Sequence, residues 1–398
     1  MFRQQIRRYS TKNENLLKTP LYDIHLKHGA TMVPYAGFAM PVLYKNQSHV
    51  ESHNWTRTKC GLFDVSHMLQ HELKGPGSTD FLHKITPTDL LGIEKMTGTL
   101  SVLLNEQGGV IDDCIITKHG DDKFYLVTNA GCREKDIKFI KSELSKNSVG
   151  EINHKTFEGT LLALQGPLAN QILQKFTNFN LRELYFGHSA FLNLPSFTND
   201  KTVHVARSGY TGEDGFEISI TDNKLAVDFT NALLELQDFV KPIGLAARDS
   251  LRLEAGMCLY GHELNENVTP IESSLNWLIS KTRRDPNQRI KFNGFPKIIR
   301  QLESPKTEVN FKRVGLTSKG PSPRDGNKIF NFDSPQEEIG TVCSGSPSPT
   351  LGGNVAQAFI NKPYNKIGTK VLIEIRNKKR EAIVTKMPFV ETHLYRPN

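Results

Sequence analysis

The chain has 398 residues, of which 37% are hydrophobic and 23% are charged. This is the composition of a folded globular protein, and no apolar run reaches the roughly 18 residues that a membrane-spanning helix requires. The formal net charge of +8 indicates acidic partners, although two basic segments account for all of it and the rest of the chain is slightly acidic.

The first charged segment opens the chain. Residues 1–12 hold four basic residues and no acidic one. An arginine-rich, acid-free start without an apolar core is typical of a mitochondrial transit peptide, and the alternative is a disordered basic tail. We expect residues 1–16 to be a transit peptide with a disordered start, and the protein to be in the mitochondrial matrix.

The second charged segment is residues 281–313, with ten basic residues against three acidic ones. Its pattern favours a solvated face or linker, and the alternative is a surface that attracts an acidic partner. The five cysteines are scattered, and no Cys-x-x-Cys spacing occurs. Free thiols in a reducing compartment are therefore expected, with no metal site.

Short strands and helices alternate along the first two thirds of the chain. Strands are predicted at 98–104, 110–118 and 123–128, where apolar runs are separated by turns rich in Gly and Asp. Apolar residues then recur at helical spacing over 133–144.

A comparable pattern begins again at a predicted buried strand, 160–165. Two further strands flank a Gly-rich turn, and helices follow at 225–236 and 245–256. Because the strands are linked by hairpins, the sequence predicts an α+β fold with antiparallel sheets. Beyond about residue 310, helical spacing disappears and short strands predict a small β-barrel or sandwich.

The paired acids Asp112 and Asp113 stand inside the apolar strand VIDDCII. A carboxylate in such a strand is unfavourable unless it is paired or functional. One interpretation is a structural carboxylate bonded to backbone or Arg, and the other is a carboxylate that orients an amine substrate. Strand periodicity does not choose between the two acids.

Three further charged side chains admit both ordinary and functional interpretations. Glu217 lies opposite the apolar face of its strand, so solvent exposure is the default expectation. Arg248 and Arg252 lie one helical turn apart, with Asp249 as a surface partner for Arg252. An ordinary ion pair is again the default, although an arginine can also clamp a substrate carboxylate.

Several longer stretches carry a resemblance that covers the chain from about Leu17 to its end. In order, they are TPLYDIHLKHGATMVPYAGFAMPV, GLFDVSHM, LLNEQGGVIDD, LVTNAGCREKD, LALQGP, RSGYTGEDGFEIS, GLAARDSLRLEAGMCLYG, TPIESSLNW, VCSGSPSPTLGGNVA and KMPFV. Together they closely resemble the aminomethyltransferases, the T-protein family of the glycine cleavage system.

This resemblance implies an α+β, three-domain cloverleaf of antiparallel sheets with flanking helices around a folate site, ending in a small C-terminal β-barrel. The implied folate-binding domains are residues 17–150 and 151–280, followed by a basic linker at 281–310 and the barrel at 311–398. The implied reaction transfers a one-carbon unit from an aminomethyl-loaded lipoyl carrier to tetrahydrofolate.

The resemblance also implies the site residues. Asp113, the second Asp of its string, would be the catalytic carboxylate, with Asp112 as its structural partner. Glu217 would hydrogen-bond the pterin ring, and Arg248 would contact the folate. The implied apolar and aromatic walls are Met68, Leu100, Tyr125, Val127 and Trp277.

Two positions depart from the family pattern. Tyr395 is expected to close the pocket, but the family tail often carries two consecutive aromatic residues where this chain has Leu394 and Tyr395. It is therefore open which of the two reaches the ligand. Some relatives have Tyr where this chain has Leu100, so aliphatic contact is expected there in place of ring stacking.

The implied co-substrates are tetrahydrofolate and the lipoyl group carried by the H-protein. The implied partners are this lipoylated H-protein, the glycine decarboxylase P-protein and the dihydrolipoamide dehydrogenase L-protein, without metal, nucleic acid or membrane insertion. The segment 281–313 would attract the carrier or a folate polyglutamate tail, through Arg283, Arg284 and Lys291.

Two other functions share the implied fold. One is a folate-dependent demethylase acting on an N-methyl or S-methyl substrate. The other is a non-enzymatic folate-binding protein that resembles iron–sulfur assembly factors. The residues EAGMCLYGHE at 254–263 depart from the KGCYxGQE-like string of that second group, which makes it the weaker alternative.

Overall fold

The computed structural model describes residues 16–146, 150–198 and 201–397. Apart from Leu16, the predicted transit peptide therefore lies outside the described residues. Within these ranges no helix combines the length and the apolar character needed to cross a membrane.

The described residues form a series of strands and helices, numbered here in chain order. The strands are β1 (Ala30–Tyr35), β2 (Phe38–Tyr44), β3 (Cys60–Asp64), β4 (Leu69–Lys74), β5 (Thr97–Leu104), β6 (Val110–Gly120), β7 (Lys123–Thr128), β8 (Asn153–Phe157), β9 (Thr160–Gln165), β10 (Ser189–Leu192), β11 (Val203–Ala206), β12 (Gly215–Ile220), β13 (Val240–Pro242), β14 (Phe311–Ser318), β15 (Lys328–Asn331), β16 (Glu338–Ser348), β17 (Gly353–Asn361), β18 (Lys370–Ile375) and β19 (Lys378–Thr385). The helices are α1 (Tyr22–Lys27), α2 (His49–Thr58), α3 (Ser78–Ile85), α4 (Arg133–Ser145), α5 (Ala169–Gln174), α6 (Pro195–Thr198), α7 (Asn223–Glu235), α8 (Leu245–Glu254), α9 (Phe295–Glu303) and α10 (Pro305–Glu308).

The predicted meander forms one half of a five-stranded antiparallel sheet with the order β5-β6-β7-β4-β8. Helix α4 follows β7 and packs Ile140 into a buried core with Phe124 and Leu126. The three strands predicted from apolar runs and the helix predicted from apolar spacing are therefore confirmed.

The second sheet has six strands in the order β10-β11-β12-β9-β3-β13. Only the β3–β13 pair is parallel within it. Leu162, Leu164, Phe216 and Ile218 pack against Phe229 of α7 on one face. The opposite face approaches the first sheet, where Gln70 Oε1 accepts hydrogen bonds from the Tyr125 and Ser219 hydroxyls at 2.8 and 2.6 Å.

The last strands close into a barrel with the order β14-β17-β16-β15-β18-β19, completed by pairing of β14 with β19. Its interior is filled by small and β-branched residues such as Val342, Ala358 and Ile373. The predicted α+β class with antiparallel sheets, flanking helices and a terminal β-barrel is confirmed. The predicted domain boundaries stay predictions.

The basic segment 281–313 is only partly a charged surface. Arg283 is 5% exposed and donates to the His83 and Ile290 carbonyls at 2.6 and 3.0 Å. Arg313 is also buried, and its Nε donates to the Ser273 carbonyl. These two charges are used to bind backbone oxygens, so they do not form part of a docking surface for an acidic partner.

Candidate active site

A cavity of about 1160 Å³ lies where the two sheets, α8, the barrel and the C-terminal residues meet. Its lining includes Asp113 from β6, Glu217 from β12 and Arg248 from α8. Residues from β14 and β19 line the barrel side. Parts of the chain that are far apart in sequence therefore face one space.

The structure distinguishes the two neighbouring acids. Successive strand residues point to opposite faces, and here Asp112 is fully buried while Asp113 is partly exposed in the cavity wall. Asp113 is therefore the acid in a position to contact a ligand, and Asp112 lies behind it.

Asn129 holds both acids. The pairing of Cys114 with Thr128 sets the register of β6 and β7, and this register brings Asn129 next to Asp113. Its Nδ2 donates to Asp113 Oδ1 at 2.9 Å and to Asp112 Oδ1 at 3.0 Å, and its backbone N–H donates to Asp112 Oδ2 at 2.8 Å. No described ion pair includes either acid.

Burial, together with the neighbouring Asp112 carboxylate, raises the pKa of Asp113 to about 7. Removal from water disfavours the charged form, and a second negative charge disfavours it further. Such a carboxyl exchanges its proton readily near neutral pH.

Glu217 and Arg248 face the cavity from the other side. Glu217 accepts a hydrogen bond from Ser208 Oγ at 2.5 Å, and burial raises its pKa. The default expectation of solvent exposure for Glu217 is therefore wrong, because the cavity wall covers part of its side chain. The Arg248 guanidinium lies 4.4 Å from the centre of the Tyr210 ring.

Arg252, one turn beyond Arg248, has a different environment. It is 2% exposed and forms ion pairs with Asp249 at 2.9 Å and Glu263 at 3.2 Å. The predicted pairing with Asp249 is confirmed, but the pair reaches into the interior instead of lying on the surface. No described ion pair includes Arg248, so of the two arginines it is the one available to a ligand.

Most of the expected wall residues line the cavity. They are Met68, Leu100, Val127 and Trp277. Trp277 is 60% exposed and therefore lies at the rim, whereas Leu100 on β5 and Val127 on β7 are partly buried on either side of β6. Together with Asp113, Glu217 and Arg248, seven of the nine predicted site residues come together here.

Tyr125 and Tyr395 do not line the cavity. The Tyr125 ring stacks on His119 at 5.6 Å, and its hydroxyl is held by Gln70. The Tyr395 ring packs on the Arg207 guanidinium at 4.0 Å. Leu394 lies on the cavity surface instead, so contact between Tyr395 and a ligand stays a prediction.

Asn129, His67 and Lys135 also line the cavity, although the sequence pattern indicates no functional role for them. Asn129 is the most consequential, and its position follows from strand register, which composition and periodicity do not give. His67 is 1% exposed, and burial lowers its pKa to about 4, so its imidazole is neutral. Lys135 Nζ donates to the Tyr260 hydroxyl at 2.5 Å.

One compact group of acids and a thiol lies behind the cavity. Polar side-chain atoms of Asp112, Cys132 and Asp136 all lie within 4.8 Å of one another. Both oxygens of Asp112 already accept hydrogen bonds from Asn129. We therefore do not assign the group as a metal site.

Residues 21–283 match the family described as the GCVT N-terminal domain, and residues 312–391 match the glycine cleavage T-protein C-terminal barrel domain. A crystal structure of the glycine cleavage system aminomethyltransferase T from Bartonella henselae superimposes with a TM-score of 0.86 at 35% identity, covering 96% of this chain and all of that one.

Curated relatives agree over nearly the whole length. The protein named mitochondrial aminomethyltransferase in Saccharomyces cerevisiae is 54% identical over 396 residues, covering 96% of this chain and 97% of the relative. Its namesake in Canis lupus familiaris is 43% identical, covering 97% and 93%. Both are named as mitochondrial proteins, which confirms the predicted mitochondrial location.

Proposed function

Because this chain belongs to the glycine cleavage T-protein family, we propose that its cavity is the site of aminomethyl transfer and that Asp113 is the catalytic carboxylate. The chain is an aminomethyltransferase that depends on tetrahydrofolate, and it belongs to the glycine cleavage system. The predicted family and class of enzyme are confirmed, whereas the roles of individual residues are proposals.

The proposed reaction moves one carbon atom between two substrates. An aminomethyl group arrives on a sulfur of the lipoyl group of the H-protein. Its carbon forms new bonds to tetrahydrofolate as the bonds to sulfur and to the amino nitrogen break. The products are 5,10-methylenetetrahydrofolate, ammonia and the dihydrolipoyl H-protein.

The cavity offers groups that match a folate. Its volume of about 1160 Å³ exceeds that of typical small-molecule sites, which leaves room for a second substrate. The Glu217 carboxylate is an acceptor for the amino and ring N–H groups of a pterin. Arg248, without a described ion-pair partner, is a suitable cation for a folate carboxylate. Met68 and Val127 supply apolar contacts to a flat ring.

The observation that carries the proposal is Asp113 itself. It is a partly buried carboxyl in the cavity wall with a pKa near neutrality, and no described ion pair fixes its charge. In its ionised form it can take a proton from the attacking folate nitrogen and stabilise positive charge that develops there. Asn129 fixes the direction of Oδ1, so little reorganisation is needed during transfer.

The test is an assay with purified protein, tetrahydrofolate and aminomethyl-loaded lipoyl H-protein. Asp113→Asn keeps the shape of the side chain but cannot accept the proton, so we expect ammonia release to fall by about 10²–10⁴-fold. The matched control is Asp122→Asn, an exposed acid in the turn after β6, which should leave release unchanged.

Near-normal turnover of Asp113→Asn would reject the catalytic assignment. Demethylation of an N-methyl or S-methyl substrate without ammonia release would instead favour the demethylase alternative. Folate binding with neither activity would favour the non-enzymatic one.

We also propose that the lipoylated H-protein approaches over the exposed part of the basic segment, with the P-protein and the L-protein as further partners in the system. Because Arg283 is buried and Arg289 is paired with Asp80, the charges that can act at this surface include Lys281 and Lys291. Replacing Lys281 and Lys291 by Gln should raise the KM for the carrier by about 2- to 5-fold, and more at low salt. Lys319→Gln, an exposed lysine in the barrel, is the control, and an equal KM in both variants would reject the surface.

A further inference from the structure

The group behind Asp113 contains two carboxyls that are removed from the solvent-accessible surface. Asp112 on β6 and Asp136 on α4 are each 0% exposed, and Cys132 beside them is 4% exposed. The polar side-chain atoms of the three residues lie within 4.8 Å of one another. Two carboxyls in such a position cannot both be ionised without a nearby cation.

No such cation is bonded to them. Among the described residues, no lysine or arginine nitrogen forms an ion pair with either acid. Lys135 is the next residue to Asp136 in the chain, but it donates to Tyr260 and lies 3.4 Å from Glu266 Oε1. The pair must therefore hold a proton.

The hydrogen bonds show which acid holds it. Both oxygens of Asp112 accept hydrogen bonds from N–H groups of Asn129, and such donors stabilise the ionised form of Asp112. The geometry among the described residues gives no well-formed hydrogen bond to either buried oxygen of Asp136, although the Asp112 carboxyl and the Thr128 hydroxyl lie beside them. A neutral carboxylic acid that can donate toward Asp112 is the form that fits this position.

We propose that Asp136 is a positioning residue for the transfer, a neutral acid that shares one proton with Asp112, so that the pair carries one negative charge and that charge lies next to Asp113. This inference rests on the proposed catalytic role of Asp113. The negative charge of Asp112 helps to hold the pKa of Asp113 near neutrality. The neutral Asp136 keeps the charge behind Asp113 at a single unit.

The titratable and charged groups around the pair are consistent with this assignment. Burial, with the adjacent Asp112, raises the pKa of Asp136 to about 10. Burial and the same carboxyls raise the pKa of the Cys132 thiol, which stays protonated. The surrounding groups are Asp113 and Cys114 from β6, Thr128 from β7, Lys135 from α4 and Tyr260 from the loop that follows α8.

The first test is infrared spectroscopy of the substrate-free protein in D₂O at alkaline pH, where Asp113 is ionised. We expect a buried carboxylic-acid C=O band in the wild type and in Asp113→Asn, and no such band in Asp136→Asn. A band that persists in Asp136→Asn would overturn the proposal. A stoichiometric divalent metal in the purified protein would overturn it as well.

The second test is the pH dependence of kcat/KM for the transfer. Asp136→Asn replaces a neutral donor by another neutral donor, so the acid limb that reports Asp113 should stay in place. Asp112→Asn removes the adjacent charge and should move this limb to lower pH by roughly one unit. Glu134→Gln, an exposed acid in the first turn of α4, controls for loss of a distant charge.

A limb that moves to lower pH in Asp136→Asn would show that Asp136 is ionised, which overturns the proposal. Failure of the underlying function looks different. If Asp113→Asn retained turnover, the catalytic role of Asp113 and the effect of the pair on it would be rejected, whereas the infrared band would still report where the shared proton lies.

Discussion

Glu254 at the end of α8 is fully buried and Asp113 on β6 is buried in part, but their pKa values are shifted in opposite directions. Glu254 is 0% exposed and accepts hydrogen bonds from His53 at 3.0 Å, Arg57 at 2.9 Å and Ser348 at 2.5 Å. Asp113 accepts one from Asn129 and lies beside a second acid.

The pKa values of these acids follow their partners. Burial by itself would raise the pKa of Glu254, but His53, Ser348 and Thr350 hold it at about 2. For Asp113, burial and Asp112 both act upward, and the pKa reaches about 7. Burial alone therefore does not decide what a carboxylate does. A fully paired acid joins parts of the fold, and an unpaired acid that faces a cavity is available for chemistry.

The largest expected effect is on the paired acid. Glu254→Gln removes the charge that Arg57 and His53 bind, and it loosens the contact of α8 with α2 and with β16 of the barrel. We expect the free energy of unfolding to fall by about 3 kcal/mol at neutral pH, as measured by denaturant titration.

The control for this variant is Glu235→Gln, because Glu235 also ends a helix but is exposed. The deficit of Glu254→Gln should be present above the ordinary pKa of 4.5 and should disappear as the pH falls through about 2. Equal stability of the two variants at neutral pH would contradict the structural role of Glu254.

The two arginines of α8 test the same contrast with positive charge. Arg248→Lys loses the planar group that lies over Tyr210 and the bidentate geometry for a carboxylate, so the KM for tetrahydrofolate should rise about 10-fold with little loss of stability. Arg252→Lys should instead lower the free energy of unfolding by about 2 kcal/mol, because it disrupts the buried pairs with Asp249 and Glu263. Steady-state kinetics and chemical denaturation separate the two, and an exchanged pattern would mean that the roles are reversed.

The sequence was sufficient for features that depend on local patterns. Strands β5, β6 and β7 follow from short apolar runs between Gly and Asp turns, and α8 ends just before Gly256, whose φ is +69°. The two acids inside an apolar strand already indicated an unusual site. These features depend on residues that are close together in the chain, so they can be predicted without a structure.

Other features depend on contacts between distant segments. Strand periodicity did not distinguish Asp112 from Asp113, whereas the sheet shows which of them borders the cavity, and Asn129 reaches both through strand register. Tyr125 does not line the cavity because its hydroxyl donates to Gln70 on β4 and its ring stacks on His119 on β6. The family resemblance predicted that Asp113 and Tyr125 belong to the site, but where their side chains lie depends on tertiary packing.

The smallest expected effect is a gain in stability at the unpaired acid. A carboxyl whose pKa is raised on folding destabilises the native state once it ionises, so this cost is absent below its ordinary pKa of 3.8 and complete above about 7. Because Asp113 is partly exposed and coupled to Asp112, we expect Asp113→Asn to gain only about 1 kcal/mol at about pH 8, with no gain near pH 4. Thermal unfolding of the two proteins across this range measures the gain. The slope is opposite in sign to that of Glu254→Gln, and an inactive Asp113→Asn that is less stable at alkaline pH would mean that Asp113 is paired in the native state after all.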